Sequence, residues 1–276
     1  MTNHDGVTFL QDTSSIVNAT EEPRQQMPYP AFTHLETHSH YTLLGSTVSV
    51  TDLANRAAAE GMTHLALTDT NVLYGVLAFN RACQIAGMQA IIGMTVTVAG
   101  EGISEGEAAG QLVLLATNPA GYRSLCRLSS RIQGSPEREF QAARGLDWAA
   151  LTENRAGLIC LSGGRRGWIE RLLRQGNEPA ARDYARRLAE VYGENAYLSL
   201  ELHQPGDEAV AREIVAIGQR LGLPCAVVQP VYCLSRQDQS KLRLLAAIDR
   251  NCRLDDLPPD ESRIDHHWLS PNEIVH

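Results

Sequence analysis

Beyond residue 31, short apolar runs alternate with amphipathic stretches almost to the end of the chain. Seven runs read as strands: "FTHLETH" (32–38), "HLALTD" (64–69), "QAIIGMTVTV" (89–98), "QLVLLAT" (111–117), "GLICLS" (157–162), "AYLSLEL" (196–202) and "PCAVVQPV" (224–231). The stretches between and after them predict helices over 50–60, 75–86, 121–132, 165–175, 179–192, 207–221 and 236–250. Ser49 to Asp52 opens the first of these, Gly61 closes it, and Gly87 closes the second. Seven strands alternating with seven helices predict an α/β fold of parallel βα units. An open doubly wound sheet and a closed barrel both satisfy that pattern, and both place chemistry beyond the carboxyl ends of the strands.

Two segments fall outside the alternation. Residues 1–30 are polar, patternless and end in "MPYP", which predicts a disordered arm. "AGEGISEGEAAG" (99–110) predicts a flexible loop or hairpin tip. It lacks the spacing of a phosphate-binding glycine loop, and its acids would repel phosphate.

Composition narrows the function. A chain of 276 residues accommodates one α/β barrel or two smaller domains. A formal net charge of −8 argues against a free-standing nucleic-acid binder. Lys241 is the only lysine among 24 basic residues, a bias that reads as coding preference. The six cysteines (83, 126, 160, 225, 233 and 252) never approach C-x-x-C spacing, which excludes a zinc knuckle or a thioredoxin-like site. With no signal peptide and no run of about 18 apolar residues, a cytoplasmic location with reduced thiols and no membrane contact is expected.

Candidate chemistry concentrates in "FTHLETHSHYTLLGS" (32–46). As a strand it would project His34, Glu36, His38 and His40 on one face, the donor types of a hydrolytic metal centre. The plainer reading is a solvated polar strand end. Asp69 could serve as a catalytic acid or a metal ligand, but a cap on the turn that follows it is the simpler expectation. Glu201 and His203 share a face at another strand end and could form part of a reduced site. In "LSGGRRGW" (161–168), Gly163, Gly164, Arg165 and Arg166 sit between a strand and a helix. Open amides and two guanidiniums make an anion contact there, the alternative being a tight glycine turn.

The run "THLETHSHYTLLGS…DLANRAAAEGMTHLALTDTNVLYGVLAFNRACQIAGMQAIIGMTVTV" resembles the polymerase-and-histidinol-phosphatase (PHP) domain that opens bacterial DNA polymerase III alpha subunits. The likeness continues through "QLVLLATNPAGYRSLCRLSS", "GLICLSGG", "YLSLELH" and "HHWLSPNEI". It implies a distorted seven-stranded (β/α)7 barrel, TIM-barrel-like, over 31–270, with 271–276 beginning the link to a polymerase region. In active members, about nine side chains at the strand ends hold up to three divalent ions (zinc, manganese or iron) for phosphoester hydrolysis. Carried onto this chain, those positions are Glu36, His38, Gly45, Thr70, Thr95, Gln111, Gly164, Pro230 and Tyr232. Of the family's ligands, only His38 keeps its residue type, and Glu36 is a substitute. The resemblance therefore implies a vestigial site with no bound cofactor. Tyr232 would fill the vacated pocket, and Glu36, His38 and Asp69 would be the residual metal candidates. Its implied partners are the rest of the polymerase, a proofreading exonuclease, and DNA reached through the polymerase. Polymerisation by this chain alone is not expected. Alternatives are a phosphoesterase or exonuclease with a reduced metal centre, and a stand-alone interaction protein.

Overall fold

The computed structural model describes residues 32–100, 108–257 and 266–275. The arm expected over 1–30 and the tip of the 99–110 loop lie outside these residues. The strands hydrogen-bond in the order β1-β2-β3-β4-β5-β6. The chain divides into two compact units, one of residues up to 69, 74–92 and 229 onward, the other of 70–73 and 93–228. Strand β2 runs through both.

The first unit holds α1 (Val50–Ala59), β1 (His64–Leu67), α2 (Val76–Ile85), the start of β2 (Gln89–Val98), and later α9 (Gln239–Asp249) and α10 (Pro271–Val275). The α1 helix begins where its sequence said, because the Ser49 side chain accepts the Asp52 N–H. Its buried positions, Val50, Leu53, Ala54 and Ala57, form one stripe at helical spacing. Strand β1 pairs with β2 in parallel, His64 opposite Gln89 and Leu67 opposite Ile92.

The segment predicted as the first strand, 32–38, forms a single parallel bridge, Thr37 to Val231. Its backbone is nonetheless stitched on both sides. The Ala66 and Thr68 amides donate to the His34 and Thr37 carbonyls, and Glu36 and His38 exchange bonds with Val231. The last predicted strand, 224–231, is likewise reduced to a three-residue β6 (Cys225–Val227) and that bridge. Pro230 supplies no N–H and breaks the ladder between them. Among the described residues six strands, in the order β1 to β6, are thus seen in place of the seven of the expected closed barrel.

The second unit contains the rest of β2, β3 (Gly110–Ala116), α3 (Pro119–Gln133), α4 (Arg138–Arg144), α5 (Trp148–Glu153) and β4 (Leu158–Leu161). It continues through α6 (Trp168–Arg174), α7 (Glu178–Tyr192), β5 (Ala196–Leu200), α8 (Asp207–Leu221) and β6. Here the all-parallel expectation fails. Strand β3 is antiparallel to both β2 and β4, while β4, β5 and β6 pair in parallel. The β2–β3 connection, residues 99–109, is at the lower limit of what a parallel crossover needs, which favours antiparallel pairing. Strand β3 is buried from Leu112 to Ala116, the continuous apolar run of a strand covered on both faces. Leu125, Leu128 and Ile132 of α3 are fully buried as well.

Candidate functional site

In the first unit, His34 and His38 are fully buried and Glu36 almost so, whereas His40 is exposed. The solvated strand end expected from sequence is therefore not what forms. The His34 ring stands between two backbone carbonyls, Nε2 2.9 Å from Leu269 O and Nδ1 3.4 Å from Gln229 O. Trp268 covers it at 4.2 Å between ring centroids. Burial pushes the His34 imidazole down to about 4, against the pull of both carbonyls toward its charged form. A neutral imidazole wedged this way is a packing element.

The His38 ring lies flat against Tyr232, centroids 4.0 Å apart and planes within 8°. Its Nδ1 is 3.2 Å from Thr42 Oγ1, and its Nε2 is 3.6 Å from Glu36 Oε1. Tyr232 is fully buried, and His266 flanks it at 5.4 Å. The Ser46 hydroxyl, 2.8 and 2.9 Å from the His38 and Tyr232 carbonyls, clasps the two backbones together. Pro230 and Gly45 are buried and carry no side-chain donor.

Asp69 takes a structural part, on a different turn from the expected one. Its carboxylate accepts from the Ser39 N–H at 2.7 Å and from the Ser39 and Thr42 hydroxyls, both at 2.8 Å. It thereby caps the preceding 39–42 turn rather than the one that follows. Burial raises its pKa, while the nearby His38 and the three donors pull it back. The donors lie 30 (Ser39) and 27 (Thr42) positions upstream in sequence, which no local pattern discloses.

The second unit gathers another set. Thr70 and Thr95 face each other across a parallel bridge, and Gln111 is half-buried on β3. Thr95 Oγ1 and Gln111 Oε1 have no hydrogen-bond partner among the described residues. Gly163 and Gly164 adopt φ of +80° and +51°, and the chain turns there into a short 3₁₀ turn over 164–166. A Cβ on Gly164 would sit 2.1 Å from Glu201 Oε2, so only glycine leaves room for that carboxylate. Glu201 accepts the Arg165 N–H at 2.8 Å through Oε2 and meets His203 Nε2 at 2.5 Å through Oε1. The open amide foreseen in "SGGRRGW" is therefore used by the chain's own anion.

Sequence reasoning missed the remainder of this cluster. Asp207 accepts the His203 and Gln204 amides and pairs with Arg174 at 2.8 Å and Arg165 at 3.5 Å. Burial works against it, yet those amides and guanidiniums hold its carboxyl below the usual range. Glu170, buried like Asp207, accepts from Arg174, and burial with Glu201 nearby raises its pKa. The i, i+4 spacing of Glu170 and Arg174 in "WIERLLR" was the one local signal available.

Compared with known families, residues 34–203 match the PHP domain. The chain belongs to the PHP domain family. This PHP domain is 32% identical over 231 residues to the DNA polymerase III subunit alpha of Bacillus subtilis, covering 84% of this chain and 20% of that protein. It is 34% identical over 261 residues to the error-prone DNA polymerase of Symbiobacterium thermophilum, covering 89% of this chain and 23% of that one. The chain thus spans about a fifth of the length of the curated relatives it matches. Among solved structures, an amidohydrolase from Chromobacterium violaceum with bound SO4 and no metal superposes with a TM-score of 0.46. The two are 15% identical, over 73% of this chain and 88% of that one. Among the described residues no helix is long and apolar enough to cross a membrane. Burial pushes the Cys83 thiol up to about 12 and raises Cys160 as well, which leaves both as inert packing groups.

Proposed function

We propose that this chain is a non-catalytic PHP domain of a DNA polymerase III alpha-type subunit, in replication or repair. Its role would be structural. It would brace the polymerase region, offer a surface to a proofreading exonuclease, and work in the cytoplasm on DNA held by the polymerase. The observation that carries the reading is the chemistry at the nine positions where the family's metal ligands fall.

Those residues do not fit a cluster of divalent ions, which needs four to six nitrogen or oxygen donors per ion, mostly imidazole or carboxylate. Gly45, Gly164 and Pro230 supply none. Thr70, Thr95 and Gln111 are neutral, and the Tyr232 ring lies flat on the one remaining histidine, His38. Asp69, the residual metal candidate outside those nine positions, already accepts three hydrogen bonds. Glu201 lies against Gly164 and is tied to Arg165 and His203. Buried acid–imidazole pairs favour a second reading, a phosphoesterase with a reduced metal centre built from Glu36 and His38 or from Glu201 and His203.

Activity separates the two. With zinc, manganese or iron supplied, the chain is expected to leave bis(p-nitrophenyl) phosphate and single-stranded DNA intact. Metal-dependent turnover that disappears in His38→Ala would establish the phosphoesterase reading instead.

A further inference from the structure

Of the two arginines predicted to contact an anion, Arg165 is engaged within the fold. Arg165 and Arg174 share Asp207. On α3 the situation is reversed. Its fifteen residues, "PAGYRSLCRLSSRIQ", contain three arginines and no acid, in a chain whose net charge is −8. Arg123, Arg127 and Arg131 fall at i, i+4 and i+8, all exposed, opposite the buried stripe of Leu125, Leu128 and Ile132. Among the described residues only Arg131 has a carboxylate partner, Glu153 at 3.2 Å, and that pair is largely solvated. The Ser124 hydroxyl donates to the Ala156 carbonyl, which holds the exposed Arg155 beside the same helix.

Like charges at i, i+4 destabilise a helix, and nothing on α3 relieves them. An external anion would. Four residues of helix advance about 6 Å, so the three guanidiniums form a row of evenly spaced positive groups about 12 Å long. The rise of one DNA strand per nucleotide is about 3.4 Å along the axis, and because the strand winds as it rises its consecutive phosphates are spaced on the scale of this row. Guanidinium also binds phosphate through paired hydrogen bonds. A regular row of fixed cations suits a polymer with regularly spaced anions better than the irregular acids of a protein surface.

We infer that the Arg123–Arg127–Arg131 face of α3 is a docking surface for the phosphodiester backbone of DNA. The inference deepens the polymerase reading and rests on it. Contact with the backbone alone carries no sequence preference, and salt displaces it.

The test is fluorescence anisotropy of labelled single-stranded and duplex oligonucleotides titrated with the purified chain over a series of salt concentrations. R123Q/R127Q is expected to lower the slope of log affinity against log salt by about 1.4 on single strands and about 1.8 on duplex. R212Q/R220Q removes the same charge from the exposed face of α8 and is expected to leave the slope unchanged. Equal slopes in the two double variants would overturn the proposal, as would no binding by the parent at the lowest salt. Displacement of DNA by oligoglutamate at lower molar concentration than by unlabelled DNA would assign the face to an acidic protein and also overturn it. Equal melting temperatures establish that the variants are folded. Metal content and hydrolysis of the same samples report separately on the non-catalytic reading.

Discussion

Lowering the pH from 7 to 4 is expected to cost this protein roughly 3 kcal/mol of stability through His34 alone. The sign follows from burial. Folding lowers the imidazole pKa from 6.5 to about 4, so between those values the unfolded chain binds the proton and the folded chain does not. The stabilising contribution is complete above pH 6.5 and is lost as the pH falls toward 4. Denaturant unfolding at several pH values reads it directly. His34→Gln lowers stability at every pH because it loses the fit against Trp268 and the bond to Leu269, but it should flatten the slope in that window. Parallel slopes in parent and variant would show that His34 titrates freely, contrary to its burial.

The second large effect lies at Glu201. Its side chain is 2% exposed, and it accepts the Arg165 N–H and meets the His203 ring. Glu201→Ala is expected to cost about 3 kcal/mol, because the Arg165 N–H loses its acceptor and His203 loses the buried carboxylate beside it. Glu201→Gln keeps a carbonyl oxygen for the amide and should cost only about 1 kcal/mol. The readout is a lower denaturant midpoint with the same slope m. An alanine variant within a few tenths of a kcal/mol of the parent would mean that the carboxylate does not organise the 163–166 turn.

Both sites show where sequence reading reached its limit. Elements with local signals were legible: α1 from its serine cap and apolar stripe, α7 and α8 from their amphipathic runs. What depends on partners far along the chain was not. Strand β3 has the same apolar run whether its neighbours are parallel or antiparallel, and only the short connection before it hints at the reversal. Helices α4 and α5 are seven and six residues long, too short to show a period. The histidines of 34–40 were grouped by strand alternation, yet the chain there is held by single bonds rather than a ladder, and it leaves His40 in water. Burial of His34 depends on Trp268 and Leu269, more than two hundred residues away. The glycines of "SGGRRGW" announced a turn made to approach an anion, but not that Glu201 would be that anion.

Elemental analysis of the purified chain is the most direct test of the claim that it is a PHP domain without a metal centre. Thr70, Thr95, Gln111, Gly164, Pro230 and Tyr232 offer no ligand set for a cluster of ions, and the neighbouring carboxylates of Asp69 and Glu201 are taken up by hydrogen bonds. After expression with zinc, manganese and iron in the medium and extensive dialysis, the account predicts substoichiometric metal. Two or more tightly held ions per chain would contradict it.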